Sequence, residues 1–469
     1  MVAETTAAGV EKGALTRELA EFCAGLEFGD LPAAVDDHAK MLILDGLGCC
    51  LQGATLPWTQ IVAGLVRDEG GAQEATLIGM PGRFPATSAV LVNSTAGHGF
   101  EMDDIHRDAI IHPNSLTVPS ALAVAERNGG ASGANFIAAV VAGYEVAARI
   151  GRTAGQSLLL KGFHPQGTTG AFAATATAAR MLGLDAAQVC HALGVGGSLG
   201  AGLIAAQEGA MVKRLHSGRA AQAGVQAALL AARGFTGIDD VIEAEYGGFL
   251  STHTQGADPA ELTRELGESW EILESGYKLY PTVTSIHNAL HALRALMREH
   301  HIDPQAIKAI DVGVSQATYV HAAWPYHAQS VTAAQMNLFY GLSVMALEGR
   351  VTTAEFKPDC IADPVVLAYA ERINAFVDPE IEALGTADRH TANVKVSLAS
   401  GETHEMLLRL RPGSPEAPAD PKDVREKFRH NAAFALDADT IDEIETRVGA
   451  LDTLDDVREL AALLVPPQA

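Results

Sequence analysis

Positive charge is what this chain has least of: 33 Lys and Arg stand against 57 Asp and Glu, a net charge of −24, and no stretch is dense in Lys or Arg. A polyphosphate backbone or an anionic bilayer is gripped through a basic face. Nucleic acid and membrane are therefore excluded as partners. Cysteine is also scarce, at Cys23, Cys49, Cys50, Cys190 and Cys360, with no C-x-x-C pair. An odd, scattered set of this kind offers neither a disulfide framework nor a thiolate zinc site and fits a reducing compartment. The opening MVAETTAAGVEKGALTREL has no basic stretch followed by an apolar one, so the expected location is cytoplasmic. Cofactor boxes are missing as well. In GVGGSLG, Leu199 stands where the last glycine of G-x-G-x-x-G belongs, and G-x-x-x-x-G-K-[ST] and G-x-S-x-G do not occur. His287 and His291 are spaced for zinc, but Asn288 replaces the glutamate of H-E-x-x-H. The longest uncharged run, Ala186 to Gln207, holds five glycines, a His and a Gln, a composition that suits a buried helix with close backbone contacts better than a membrane span.

What is present is 48% apolar sequence in 469 residues, enough for several domains with a large core. Ala-rich periodicity of 3.6 predicts helices over Pro32–Leu51, Ala86–Ala96, Val118–Asn128, Ala134–Thr153, Gly170–Leu182, Ala186–Leu193 and Arg219–Arg233. With only 14 Phe, 8 Tyr and 3 Trp to fill space, small residues at facing positions must let these helices pack closely. Later, Ile307–Gln316, Asn393–Ser400 and Thr403–Leu410 alternate as strands do, the last two as a hairpin through Gly401 and Glu402. Helical stretches near Leu290–Met297, Ala333–Leu347 and Pro364–Arg372 lie among them. After the Pro-rich connector Pro412–Pro421, the tail returns to helix. The expected fold is mostly α: an all-α domain beginning with residues 1–272, a smaller α+β domain at 273–411, and a tail at 412–469 packing back on the first domain.

Four polar clusters break this apolar background. The densest runs from His98 through Glu101, Asp103, Asp104, His106 and Asp108 to His112, between two apolar helices, where a charged loop signals function. Its plain reading is a solvated loop ending in a helix cap at Asn114 or Ser115. A divalent-metal site is a further option, since carboxylates and imidazoles together bind such ions. The second cluster sets His164 at the mouth of a Thr/Ala-rich helix, where backbone N–H groups face an anion, although a single His is often structural. The third gathers Lys213, Arg214 and His216, either an anion site or the start of a surface helix. The fourth, from Tyr277 and Lys278 to His287, sits where the second domain begins, a preferred place for ligands or a simple connector. Together these parts suit chemistry on a small polyanion, with Lys and Arg neutralising carboxylates and His moving protons.

In this order, GHGFEMDDIHRDAIIHPNSLTVPSALAVAE, GFHPQGTTGAFAATATAARMLGL, MVKRLHSGRAAQAG and YKLYPTVTSIHNAL resemble the MmgE/PrpD family, as do MLILDGLGCCLQGA, GYEVAARIGR, YGGFL and EKFRHNA. That family includes 2-methylcitrate dehydratase, cis-aconitate decarboxylase and iminodisuccinate epimerase. The resemblance implies a helical domain built from both chain ends, an α+β lid, a homodimer, and no cofactor or metal. It places the acidic motif at Glu101 to Asp104, the histidines at His112 and His164, the lysines at Lys213 and Lys278, and a lid tyrosine at Tyr319. Decarboxylases of the mammalian type carry Asp at the position of Glu101 and His at that of Val283. The implied activity is a lyase on a di- or tricarboxylate. Lys213 and Lys278, with His216, would bind carboxylates, His112 and His164 would act as base and acid, and Asp104, helped by Glu101, would charge an imidazole. An epimerase using the same two bases and a non-catalytic carboxylate-binding protein are the alternatives.

Overall fold

The computed structural model describes residues 13–466; the first twelve residues, where the leader was sought, lie outside them. Small residues govern the helical part. Helices α1 (Ala33–Gly53), α2 (Ala86–Gly97), α3 (Asn114–Arg127), α4 (Gly133–Leu160), α5 (Gly170–Met181), α6 (Ala186–Leu199) and α7 (Val212–Ala231) pack around one core. α7 lies against both α5 and α2, and α4 against α5. The approach is close enough that a Cβ on Gly196 of α6 would sit 2.2 Å from Thr175 Oγ1 of α5. α4 is long and apolar enough to cross a membrane by length and composition, but 89% of its most apolar window is buried inside the fold, so its apolar surface already has a partner.

Two helix starts differ from the periodicity. α3 begins at Asn114 rather than Val118, and α7 at Val212 rather than Arg219. In both, the first turn carries polar residues that are buried, and burial by tertiary contact erases the amphipathic signal there.

Core membership changes between Tyr277 and Tyr280. The second core surrounds a four-stranded sheet of β1 (Ile307–Val314), β2 (Ile373–Val377), β3 (Ala392–Leu398) and β4 (Thr403–Leu408) in the order β2-β1-β3-β4. β1 pairs antiparallel with β3, Val312 opposite Val394, and parallel with β2. β3 and β4 form the expected hairpin, and Gly401 in its loop holds φ 92°. The strand β2 was not legible in the sequence. Helix α8 (His287–Glu299) covers β3 and β4, while α9 (Gln316–Ala322) leaves the end of β1 and packs on residues 284–286.

The tail returns to the first core through α10 (Pro421–Ala432), which lies along α1. Its Lys427 pairs with Asp45 of α1 at 2.7 Å and donates to the Met102 carbonyl. Both charges are buried. Removing one member of such a pair strands the other, so Lys427→Met is expected to cost about 2 to 3 kcal/mol, part of the loss being relieved by protonation of Asp45. Urea unfolding monitored by circular dichroism measures it, and an unchanged midpoint would show that the pair contributes nothing.

Candidate active site

The loop between α2 and α3 carries the acidic cluster into the protein. His98 caps α2, and Glu101 follows with φ 57°, a left-handed conformation that costs a non-glycine residue energy and persists where the surroundings enforce it. The surroundings here are three cations. Lys278 Nζ lies 2.9 Å from Glu101 Oε2, while Lys213 and Arg214 both bond its other oxygen. All four side chains are buried. Burial alone would raise the Glu101 carboxyl, but Lys213, Lys278 and Arg214 hold it well below the usual range. Burial pushes the Lys213 ammonium down to about 8, Arg214 and Lys278 acting with it against Glu101. Arg214 also reaches Gln335 Oε1 of the second core at 2.9 Å. Lys213 and Arg214 sit in the first turn of α7, where the helix dipole disfavours cations. The trio carries more positive charge than Glu101 neutralises, which leaves capacity for a second anion.

Beside the trio runs a row of four imidazoles. Ring centroids are 5.0 Å apart for His112 and His98, 5.9 Å for His98 and His164, and 5.1 Å for His164 and His216. Asp103 Oδ2 accepts from His98 Nδ1 at 2.7 Å, which leaves the buried His98 Nε2 without a partner among the described residues. His112 donates Nδ1–H to the Asp104 carbonyl, and its backbone is clamped by the Gln166 amide, which accepts from His112 N at 2.9 Å and donates to His112 O at 3.2 Å. His164 and His216 share a hydrogen bond between their Nδ1 atoms at 2.9 Å. Burial, with Lys278 and His98 against Asp103, holds His112 at about 3. Burial and the charge of Lys213 keep His98 and His164 well below their ordinary values. The resting row is uncharged.

The structure thus brings together Glu101, His112, His164, Lys213, His216 and Lys278. It does not place two other residues as expected. The Asp104 carboxylate faces away from the imidazoles: it accepts from Tyr144 Oη at 2.7 Å and caps α3 through Asn114 N at 3.0 Å. Burial, with Asp103 and Asp45 adding to it, pushes Asp104 well above the carboxylate range. The neighbouring Asp103 is the imidazole's partner. Tyr319, on α9, is 37% exposed and has no bond to the cluster among the described residues; His321, on the same helix, feels the charges of Lys213 and Glu101. His98, Asp103, Arg214 and Gln335 were not singled out by the sequence, although the first three lie inside the clusters it marked.

His98, Asp103 and His112 each offer a ligand atom within 4.8 Å of the others. The surplus positive charge beside them opposes a dication. Exhaustive chelation is therefore expected to leave activity within about twofold; loss that a divalent metal restores would identify a metal enzyme instead. A separate crevice at the seam of the two cores is lined by Arg107, Asp388, Arg409 and Glu416, but the Arg107–Glu416 and Arg409–Asp388 pairs already span its charges.

Models of the MmgE/PrpD N-terminal domain and C-terminal domain match residues 17–262 and 280–452. The cis-aconitate decarboxylase-like protein oryM of Aspergillus oryzae is 32% identical over 97% of this chain and 98% of its own length. Cis-aconitate decarboxylases of Aspergillus terreus and Homo sapiens are each 29% identical over 97% of this chain, covering 97% and 95% of their own lengths. The chain belongs to the MmgE/PrpD family.

Proposed function

We propose that this MmgE/PrpD member is a cofactor-independent carboxy-lyase that removes CO2 from cis-aconitate or a close tricarboxylate. The observation that carries the reading is the cation trio of Lys213, Arg214 and Lys278 around a single internal carboxylate, set against a row of uncharged imidazoles. Its full-length likeness to named cis-aconitate decarboxylases supports the choice of substrate.

Substrate carboxylates dock on Lys213 and Lys278 by exchanging with Glu101. Binding in a dry, charged site stabilises the electron flow of decarboxylation more than water does. The bond from the methylene carbon to its carboxylate breaks, and that electron pair forms a terminal alkene. The former alkene pair moves to the methine carbon, beside one of the two remaining carboxylates, and this carbon takes a proton. Arrival of the polyanion raises the proton affinity of the facing imidazoles, so His164 becomes the acid that delivers this proton. His216, bonded to it and nearer solvent, returns a proton to His164. His112, fixed by Asp104 O and Gln166, serves as the base where a proton must first be removed, the step that dehydration or epimerisation requires.

An NMR time course in D2O of chelator-treated protein with cis-aconitate, citrate, 2-methylcitrate and iminodisuccinate tests this. The expected result is loss of CO2 from cis-aconitate, with one deuteron in the product. A new alkene from citrate or 2-methylcitrate would make it a hydro-lyase, deuterium exchange with inversion alone an epimerase, and binding without change a carboxylate-binding protein.

A further inference from the structure

Where the resemblance implies a histidine in decarboxylases of the mammalian type, this chain has Val283, buried in the second apolar core with Ile286 and Leu290. That position lies five residues after Lys278 of the trio, where the chain passes into the second core. Another imidazole stands next to it. His321 lies on α9, the short helix that begins with Ser315 capping Thr318 N at 3.1 Å and packs on residues 284–286, directly after Val283. Its Nε2 is sealed from solvent and has no partner among the described residues. A buried polar atom left unpaired is costly and calls for a ligand or water. The segment after α9 is fixed to the same core: Trp324 Nε1 donates to His321 O at 3.2 Å, and Asn337 donates to Trp324 O at 2.7 Å. Residues two apart on a helix point in nearly opposite directions, which turns Tyr319 outward when His321 turns in. Burial together with the charge of Lys213 lowers the His321 imidazole below its ordinary value, with Glu101 acting against them, so the ring lies within electrostatic reach of the carboxylate-binding trio.

We propose that His321 is a substrate-binding residue that recognises the third carboxylate of a tricarboxylate, donating to it from Nε2. This rests on the carboxylate-site reading above but not on which reaction follows. It makes His321 the residue that separates tricarboxylates from dicarboxylates, because a dicarboxylate is satisfied by the trio alone.

Calorimetric titration of wild type, His321→Leu and His321→Gln with tricarballylate, an unreactive tricarboxylate, and with glutarate tests it. His321→Leu is expected to weaken tricarballylate by about tenfold or more and glutarate by less than about twofold, and His321→Gln, which keeps an N–H donor, to recover most of the loss. Equal loss for both ligands, or none for either, would overturn the proposal. In wild type, the His321 Nε2 resonance must shift on adding tricarballylate, a readout that needs no variant to fold, and an unmoved resonance overturns it too. A protein that binds tricarballylate in this way yet leaves cis-aconitate intact refutes the decarboxylase reading and keeps the assignment of His321. One that binds neither ligand removes both.

Discussion

Lys213→Met is expected to lower kcat/KM for the tricarboxylate by about 10²- to 10³-fold, the range set by removing one partner from a desolvated charge contact. The loss should fall on binding and turnover together, because the same ammonium neutralises charge in the complex and during the loss of CO2. Its pH dependence is specific. In the free protein Lys213 sits at about 8, below the ordinary lysine value, so the cation is present at lower pH and is lost as pH rises through that point. Since kcat/KM reports groups of the free enzyme, it should fall above pH 8. Lys213→Arg keeps a charge that does not titrate there and should flatten that limb even if it costs activity. A limb unchanged in Lys213→Arg belongs to another group.

The second large effect separates two adjacent carboxylates. Asp103→Asn keeps the shape but can offer an N–H to His98 Nδ1, which forces the ring into the tautomer whose Nε2 is blocked by its own proton. His98 stands between His112 and His164, at ring-centroid distances of 5.0 and 5.9 Å, so its misorientation disturbs both and is expected to lower kcat by about 10- to 10²-fold with little change in KM. Asp104→Asn should behave otherwise. Burial already pushes that carboxyl toward its neutral form, and an amide oxygen can still cap Asn114 N, so the expected loss in kcat is below about tenfold. Comparable defects in the two variants would return Asp104 to the role the sequence implied.

That contrast marks where the sequence stops being readable. The loop itself was plain, because a dense charged stretch between Ala-rich helices has few structural explanations. Which of two consecutive aspartates turns toward the histidines depends on Tyr144, forty residues away, and no local pattern records it. The cation trio was half legible. Lys213 and Lys278 stood out in an acidic chain, but their convergence on Glu101 joins a loop, a helix start and an interdomain segment, and only the tertiary fold brings them together. The start of α7 was missed for the same reason, since buried Lys213, Arg214 and His216 look like a solvent-facing turn until Glu101 is placed against them. Short β2, INAFV, has only five residues between helices, too few to show an alternating pattern, and its partner in the sheet is about sixty residues earlier. His321 gave no signal at all, being one histidine on a seven-residue helix beside a tyrosine that attracted the attention instead.

The salt bridge from Lys427 has a consequence in the order of synthesis. The N-terminal part of a chain normally begins folding while the rest is still being made, and here α1 through α7 leave the ribosome long before α10. Until residue 427 emerges, Asp45 has no lysine partner and the Met102 carbonyl, in the middle of the charged loop, lacks its donor. The sheet of the second core is therefore translated, and free to assemble, while the first body is still waiting for its closing helix. A helix made late holds the loop of the earliest cluster in place, so a nascent chain should acquire its first helices well before it acquires a competent site.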